Sequence, residues 1–386
     1  MAFRSGFPLL ILLLLAGSSG LGRAEQPADA SGFRLAAEFL IPPGTHFPVA
    51  PSRFGAISGL ATLPGGCELL AISDDDVDSR LYRLRVSRTA EGVRVDPLKH
   101  ILLGPAAGAP SALDPEGIAL TGSGTVLISS EGATAAHPRL PPAILEYAED
   151  GRFIRQLPVP PQFASNEKGR QTKGVRRNGG FESLTVTADF ARLFTANELP
   201  LVQDGPADAF AEGQRLRIVE YVADEGSYRP GRQFAYELAP LDRPPFASGF
   251  SVNGLSELLV VDGTELLALE RGFIQARGSR LGINRIRLFR ISLGGATDVS
   301  SLDSLAEPDE VKPVRKTLVQ DFSQLSGRSL RLINLENFEG LAWIGKGQGA
   351  DRSLLVVSDD NFNALQVTAF LLLDPAAAAK RPPVCP

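Results

Sequence analysis

The chain has 386 residues, 39 Lys and Arg against 44 Asp and Glu, a formal net charge of −5 and 44% hydrophobic residues. That excess of acid argues against a general nucleic-acid binder, whose affinity rests on neutralising phosphates with Lys and Arg. With only three His and two Cys, the chain has no Cys/His spacing suited to a zinc site.

The first segment reads as a targeting signal. Arg4 gives a positive start, Pro8 to Ala16 an apolar stretch, and Gly22-Arg23-Ala24 a small-residue cleavage site. The apolar run is short for a membrane span, and no Cys follows it directly to carry a lipid anchor. An uncleaved anchor is the alternative. Residues 1–24 are therefore expected to be removed, leaving a periplasmic or secreted protein with no stable membrane insertion. Arg4 and Arg23 leave with them and no acid does, so −5 becomes −7.

A strand is expected over 33–41, and a repeated module follows it. It consists of a Glu-Gly-Leu-Ala-like start, a turn, and a strand ending in acid. The copies run from Ser58-Gly59-Leu60-Ala61 to Ser73-Asp74-Asp75-Asp76, and from Glu116-Gly117-Ile118-Ala119 to Ser130-Glu131-Gly132. The third runs from Glu182-Ser183-Leu184-Thr185 to Asn197-Glu198, and a looser one from Asn253-Gly254-Leu255-Ser256 to Leu269-Glu270-Arg271. The last runs from Glu339-Gly340-Leu341-Ala342 to Ser358-Asp359-Asp360-Asn361. Two further strand patterns separate successive modules. In the first unit the strands are expected at 60–63, 68–73, 80–86 and 93–103. Short strands, Gly/Pro turns and almost no helical periodicity indicate an all-β chain. Four strands per repeat is the blade of a β-propeller.

Five blades are counted, with a degenerate sixth as an alternative because the third and fourth units are long. The fifth unit lacks its fourth strand, and 33–41 can supply it, closing the ring between the two chain ends. The propeller domain spans 33–374, and 375–386 form a tail. Cys67 lies in the first turn of blade one and Cys385 in the tail. Propeller topology puts both on the bottom face, so a disulfide between them is expected; two unpaired thiols are the alternative.

Within a blade, the innermost strand starts at the top face and the second strand returns there. Module starts and ends should therefore meet at one channel mouth. The starts supply Glu116, Glu182 and Glu339; the ends supply Asp74, Glu131, Glu198, Glu270 and Asp359. Carboxylates gathered this way repel unless they bind a cation, pair with Arg or take up protons. Hard oxygen donors from several strands suit Ca²⁺, with Glu116, Glu131, Glu339, Asp359 and Asp74 as candidate ligands. Arg271 and the basic loop containing Lys173 and Arg177 are candidates for holding a phosphate, since Arg forks match its oxygens. Glu182, Glu270 and Arg271 are the candidate catalytic groups. The structural alternative is that these acids merely accept backbone hydrogen bonds and tie blades together. A serine hydrolase finds little support: no Gly-x-Ser-x-Gly elbow occurs, Gly249-Phe-Ser-Val-Asn fails at its last position, and His137 has no evident partner.

The ordered set Asp114-Pro-Glu-Gly-Ile-Ala, Ser130-Glu-Gly, Gly179-Gly-Phe-Glu-Ser-Leu, Leu269-Glu-Arg-Gly-Phe and Asn337-Phe-Glu-Gly-Leu-Ala with Ser358-Asp-Asp-Asn-Phe resembles the phytase-like family, also called "esterase-like activity of phytase". The resemblance covers roughly Phe33 to Asp374. It implies a secreted or periplasmic β-propeller distantly similar to the alkaline propeller phytases, which are calcium-dependent phosphatases with an acidic channel mouth. No phytase catalytic signature matches residue by residue. Two function classes follow. One is a Ca²⁺-assisted hydrolase of a small phosphorylated or ester substrate, acting as a monomer; the other is a non-catalytic binding or scaffold propeller.

Overall fold

Twenty strands and three single-turn 3-10 helices make up the regular structure among the described residues, in a computed structural model that describes residues 32–75, 78–90, 92–105, 113–136, 138–279, 282–306, 310–325, 336–345 and 352–376. The expectations for the leader 1–24, Asp76, His137 and Cys385 lie outside the described residues. No described helix is long and apolar enough to cross a membrane.

The chain opens with β1 (Phe33–Ile41). Blade one is β2 (Ile57–Thr62), β3 (Glu68–Ser73), β4 (Arg80–Thr89) and β5 (Gly92–Leu102). Blade two is β6 (Pro115–Leu120), β7 (Val126–Ser130), β8 (Ala143–Tyr147) and β9 (Phe153–Gln156). Blade three is β10 (Thr185–Val186), β11 (Arg192–Ala196), β12 (Arg215–Asp224) and β13 (Ser227–Glu237). Blade four is β14 (Ala247–Val260), β15 (Glu265–Ala276), β16 (Gly282–Ser292) and β17 (Arg315–Asp321). Blade five is β18 (Asn337–Ile344), β19 (Ser353–Asp359) and β20 (Thr368–Pro375), with β1 as its outer strand. Strand β1 runs antiparallel to β20, from Phe33 opposite Pro375 to Ile41 opposite Thr368. Five blades and an N-terminal closing strand are thus the architecture, without a sixth sheet among the described residues.

Alternation along each strand divides its side chains between two neighbours, because both faces of a blade are covered. In β19, Leu355 and Val357 pack toward blade one, while Leu354 and Val356 pack toward blade four. Every adjacent pair of blades encloses one such apolar layer, so the core is a ring of five layers. Burying a Leu or Val completely is worth about 1.5–3 kcal/mol.

The inner strands share one irregularity. A register shift falls between Ile57 and Gly59 in β2, Pro115 and Ile118 in β6, Leu255 and Glu257 in β14, and Phe338 and Gly340 in β18. A bulge inserts a residue and re-aims its side chain. At each of these bulges lies the residue that starts a module. In blades one, two and five the glycine after it allows inner strands to touch. A Cβ on Gly117 would lie 2.5 Å from the Leu184 nitrogen of blade three, and one on Gly59 would lie 2.5 Å from the Glu116 carbonyl oxygen of blade two.

The register also corrects the fourth module. Leu255 faces Glu270 and Glu257 faces Leu269, just as Phe338 faces Ser358 and Gly340 faces Val357. The fourth start is therefore Ser256-Glu257-Leu258, three residues beyond the Asn253-Gly254-Leu255-Ser256 expected from sequence.

A candidate metal centre at the acidic mouth

Aligned by register, the bulge positions are Ser58, Glu116, Glu182, Ser256 and Glu339, one per blade. The residues just past the facing positions on the second strands are Asp74, Glu131, Glu198, Arg271 and Asp359. Eight carboxylates and one guanidinium line a cavity of about 340 Å³ at this mouth. Asp114 is the eighth acid and is absent from the candidates drawn from sequence. It stands two residues before Glu116, on the same side of an extended chain.

Two triads stand out within the cavity. One ligand oxygen from each of Asp74, Asp114 and Glu116 lies within 4.8 Å of the others, and the same holds for Glu116, Glu131 and Glu182. Glu116 belongs to both. The donor set is all oxygen, with no His or Cys, which suits a hard divalent cation such as Ca²⁺.

Electrostatics divide the mouth in two. On one side, Arg271 donates to Glu198 at 2.8 Å and lies 3.2 Å from Glu339 through its Nε. Burial opposes its charge, but Glu198, Glu339, Glu182 and Asp359 more than offset this and hold it firmly protonated. On the other side, Glu116, Glu131 and Glu182 have no ion pair with a Lys or Arg among the described residues. Burial and mutual repulsion raise their proton affinities. Asp74 is pushed up to about 9, by burial first and then by Asp114 and Asp359. Glu131 is pushed up to about 7, chiefly by burial. Burial, then Asp74 and Glu131, hold Glu116 well above the usual range. Glu182 is raised in the same way and shares a hydrogen bond with Glu131. Four-carboxylate crowding of this kind is relieved by protons or by a cation.

Glu257 sits where the other blades carry Gly59, Gly117, Ser183 and Gly340. Its carboxylate accepts the Leu258 N–H at 2.9 Å and is met by the N–H groups of Leu184 and Leu341 from the flanking blades. Fully enclosed by three inner strands, it ties blades three, four and five together below the acidic ring.

The remaining candidates are placed elsewhere. Glu270 is one residue short of the ring position, so its side chain points to the opposite face of β15. There it accepts from Tyr236 at 2.9 Å, from the Ala239 N–H at 3.1 Å and from Arg287 at 3.1 Å, and pairs with Lys316. Lys173 and Arg177 are exposed and do not line the cavity, although Asn178 does. Cys67 lies in the β2–β3 turn. Asp360 is withdrawn from the ring, accepting the Ala56 N–H of blade one at 2.8 Å.

The family model "Phytase-like: Esterase-like activity of phytase" matches residues 52–362. The chain belongs to the phytase-like family. No curated protein matches it. Among solved structures, it is similar to an endo-arabinase from Bacteroides thetaiotaomicron VPI-5482, at 9% identity and a TM-score of 0.44 over 87% of this chain and 97% of that one. It is similar to the α-L-arabinofuranosidase PaAbf62A from Podospora anserina at 12% identity and a TM-score of 0.42, over 90% of this chain and 98% of that one. A gluconolactonase from Xanthomonas campestris gives 14% identity and a TM-score of 0.32, over 90% and 99%. Likeness at these levels carries no inference about activity.

Proposed function

We propose that this phytase-like propeller is an exported, metal-assisted hydrolase of ester bonds, working at the acidic mouth. The observation that carries this reading is the pair of oxygen triads sharing Glu116. Asp74, Asp114, Glu116, Glu131 and Glu182 would hold the cations, with Glu339 and Asp359 completing the ring beside Arg271. A divalent cation bound there supplies charge neutralisation and a more acidic water. In the reaction, the oxygen of water bonds to the acyl or phosphoryl centre, the bond to the leaving oxygen breaks, and that oxygen takes up a proton.

The chain's own groups supply the positioning and the proton traffic. Glu182 is hydrogen-bonded to Glu131, and its oxygen not given to a cation would accept a proton from water and return it to the leaving oxygen. Arg271 is held by Glu198 and Glu339 with its guanidinium lining the cavity, where it meets charge developing on the substrate. Glu270 has no part in this chemistry, being enclosed by Tyr236, Arg287 and Lys316. Against a pure scaffold stands the division of the mouth: Arg271 satisfies one side, and the other keeps carboxylates without cationic partners.

The test is ester hydrolysis by the mature chain with Ca²⁺ and after chelation, alongside calorimetric titration of Ca²⁺. Activity that requires the metal and is lost in Glu116→Gln is expected. Absence of metal binding, with no hydrolysis of phosphate or carboxylate esters under any divalent cation, would overturn the reading.

A further inference from the structure

We infer that the ester accepted at this mouth is a neutral, polyhydroxylated one, a sugar-like acyl ester, and not a phosphate ester. This deepens the reading above and rests on it.

Charge is the first argument. Eight carboxylates face one guanidinium in the cavity. Two divalent cations would still leave an ionised ring net negative, so each added phosphate charge is opposed. Of the cations expected to hold a phosphate, Arg271 lines the cavity and is already engaged by Glu198 and Glu339, while the others stay outside, as do the arginines that follow it on blade four. Lys173, Arg177, Arg277 and Arg285 are all exposed and none lines it. Phosphate recognition ordinarily gathers such side chains on the ligand.

What the rim carries instead is amides and an aromatic ring. Asn178 comes from blade three, Asn284 and Phe273 from blade four, and Asn361 and Gln366 from blade five. A primary amide donates and accepts at once, which matches a hydroxyl that also does both. An apolar ring face beside such amides suits the C–H face of a sugar. The Phe273 ring lies against Gly282, where a Cβ would come within 2.5 Å of its Cζ. The ring of Phe250, 58% exposed, stands 6.2 Å from it and extends the apolar face outward.

Two of these amides stand on tight turns with left-handed backbone, a conformation Asn adopts more readily than most residues. Asn178 has φ 47° in the turn closed by the Arg176–Gly179 bridge, and Asn361 has φ 46° where its N–H donates to Asp359 at 2.7 Å. Both side chains are exposed and line the cavity, so the turns present amides to whatever enters it.

The experiment uses a matched pair, 6-O-acetylglucose and glucose 6-phosphate, with the full mature chain and Ca²⁺. Hydrolysis of the acetyl ester is expected to exceed that of the phosphate by about a hundredfold in kcat/KM. Asn178→Gly and Asn361→Gly relax the backbone while removing the amide, so folding is preserved. Each is expected to raise KM for the acetyl sugar about tenfold, with kcat within about twofold. Calorimetric titration of both compounds, with and without Ca²⁺, is the second readout. Preferential hydrolysis or tighter binding of glucose 6-phosphate overturns the substrate class and leaves the ester hydrolase standing. Binding of the acetyl sugar without hydrolysis sinks the hydrolase and supports the ligand class. Unchanged KM in both Gly variants, or failure of both compounds to bind, overturns the inference.

Discussion

Arg271 shows how much one residue decides at this mouth. Its position in the ring belongs to Asp74, Glu131, Glu198 and Asp359 in the other blades, so blade four reverses the sign of the repeat. Arg271→Ala leaves Glu198 and Glu339 buried without a cationic partner, Glu339 keeping only the Asn337 amide, and a loss of about 3–5 kcal/mol in urea denaturation is expected, reduced in Arg271→Lys. Glu182→Gln and Glu270→Gln should separate chemistry from support. The first is expected to abolish hydrolysis with little change in Tm. The second, within its enclosed network, is expected to lower Tm and spare the proton traffic. The ring also sets a pH dependence. Carboxyls with raised folded values hold their protons more tightly when folded, so stability falls as pH climbs from the ordinary 3.8 of Asp or 4.5 of Glu through about 7 for Glu131 and about 9 for Asp74. Chelated protein should therefore lose Tm steadily across that window. Ca²⁺ should restore more of it the higher the pH, because binding displaces protons. A flat Tm across the window would refute the linkage.

At the scale of the strand, the bulge and its glycine do the positioning. Gly117→Ala would place a methyl 2.5 Å from the Leu184 nitrogen and 2.6 Å from Ser129 Oγ. Overpacking of this sort costs about 1–3 kcal/mol, and separation of β6 from blade three should weaken Ca²⁺ binding as well, measured by titration of the folded variant. The strands themselves were legible in the sequence, because alternation and turn residues are local. So was the convergence of module ends, which follows from topology. Register in blade four was not. Asn253-Gly254-Leu255 imitates the module, and Glu257 occupies the place where a Gly would have announced the true start. Asp114 was missed for a simpler reason: it precedes the strand, where only the extended run into Glu116 shows which way it faces. The basic loop around Lys173 misled because a sequence gives the charge of a loop and not which of its residues leans inward.

The propeller is a ring whose five apolar layers each depend on two blades. Leu355→Ala, in the layer between blades five and one, is expected to cost about 2–5 kcal/mol. Removing 33–41 should cost far more. It strips blade five of its outer strand, exposes the edge of β20, and is expected to give insoluble or unfolded protein by circular dichroism. Soluble, folded product would show that the ring does not need β1.

The closing strand also fixes an order of events. β1 is the earliest strand of the propeller to be synthesised and its partner β20 is the latest, so the two meet only after every strand between them has been made. Until then blades one to four can form and pack locally, but the circle stays open and its last layer unsealed. Joining ends more than 300 residues apart is a long-range contact of the slowest kind to form. A ring built this way is sealed last, at the one sheet that holds strands from both ends of the propeller.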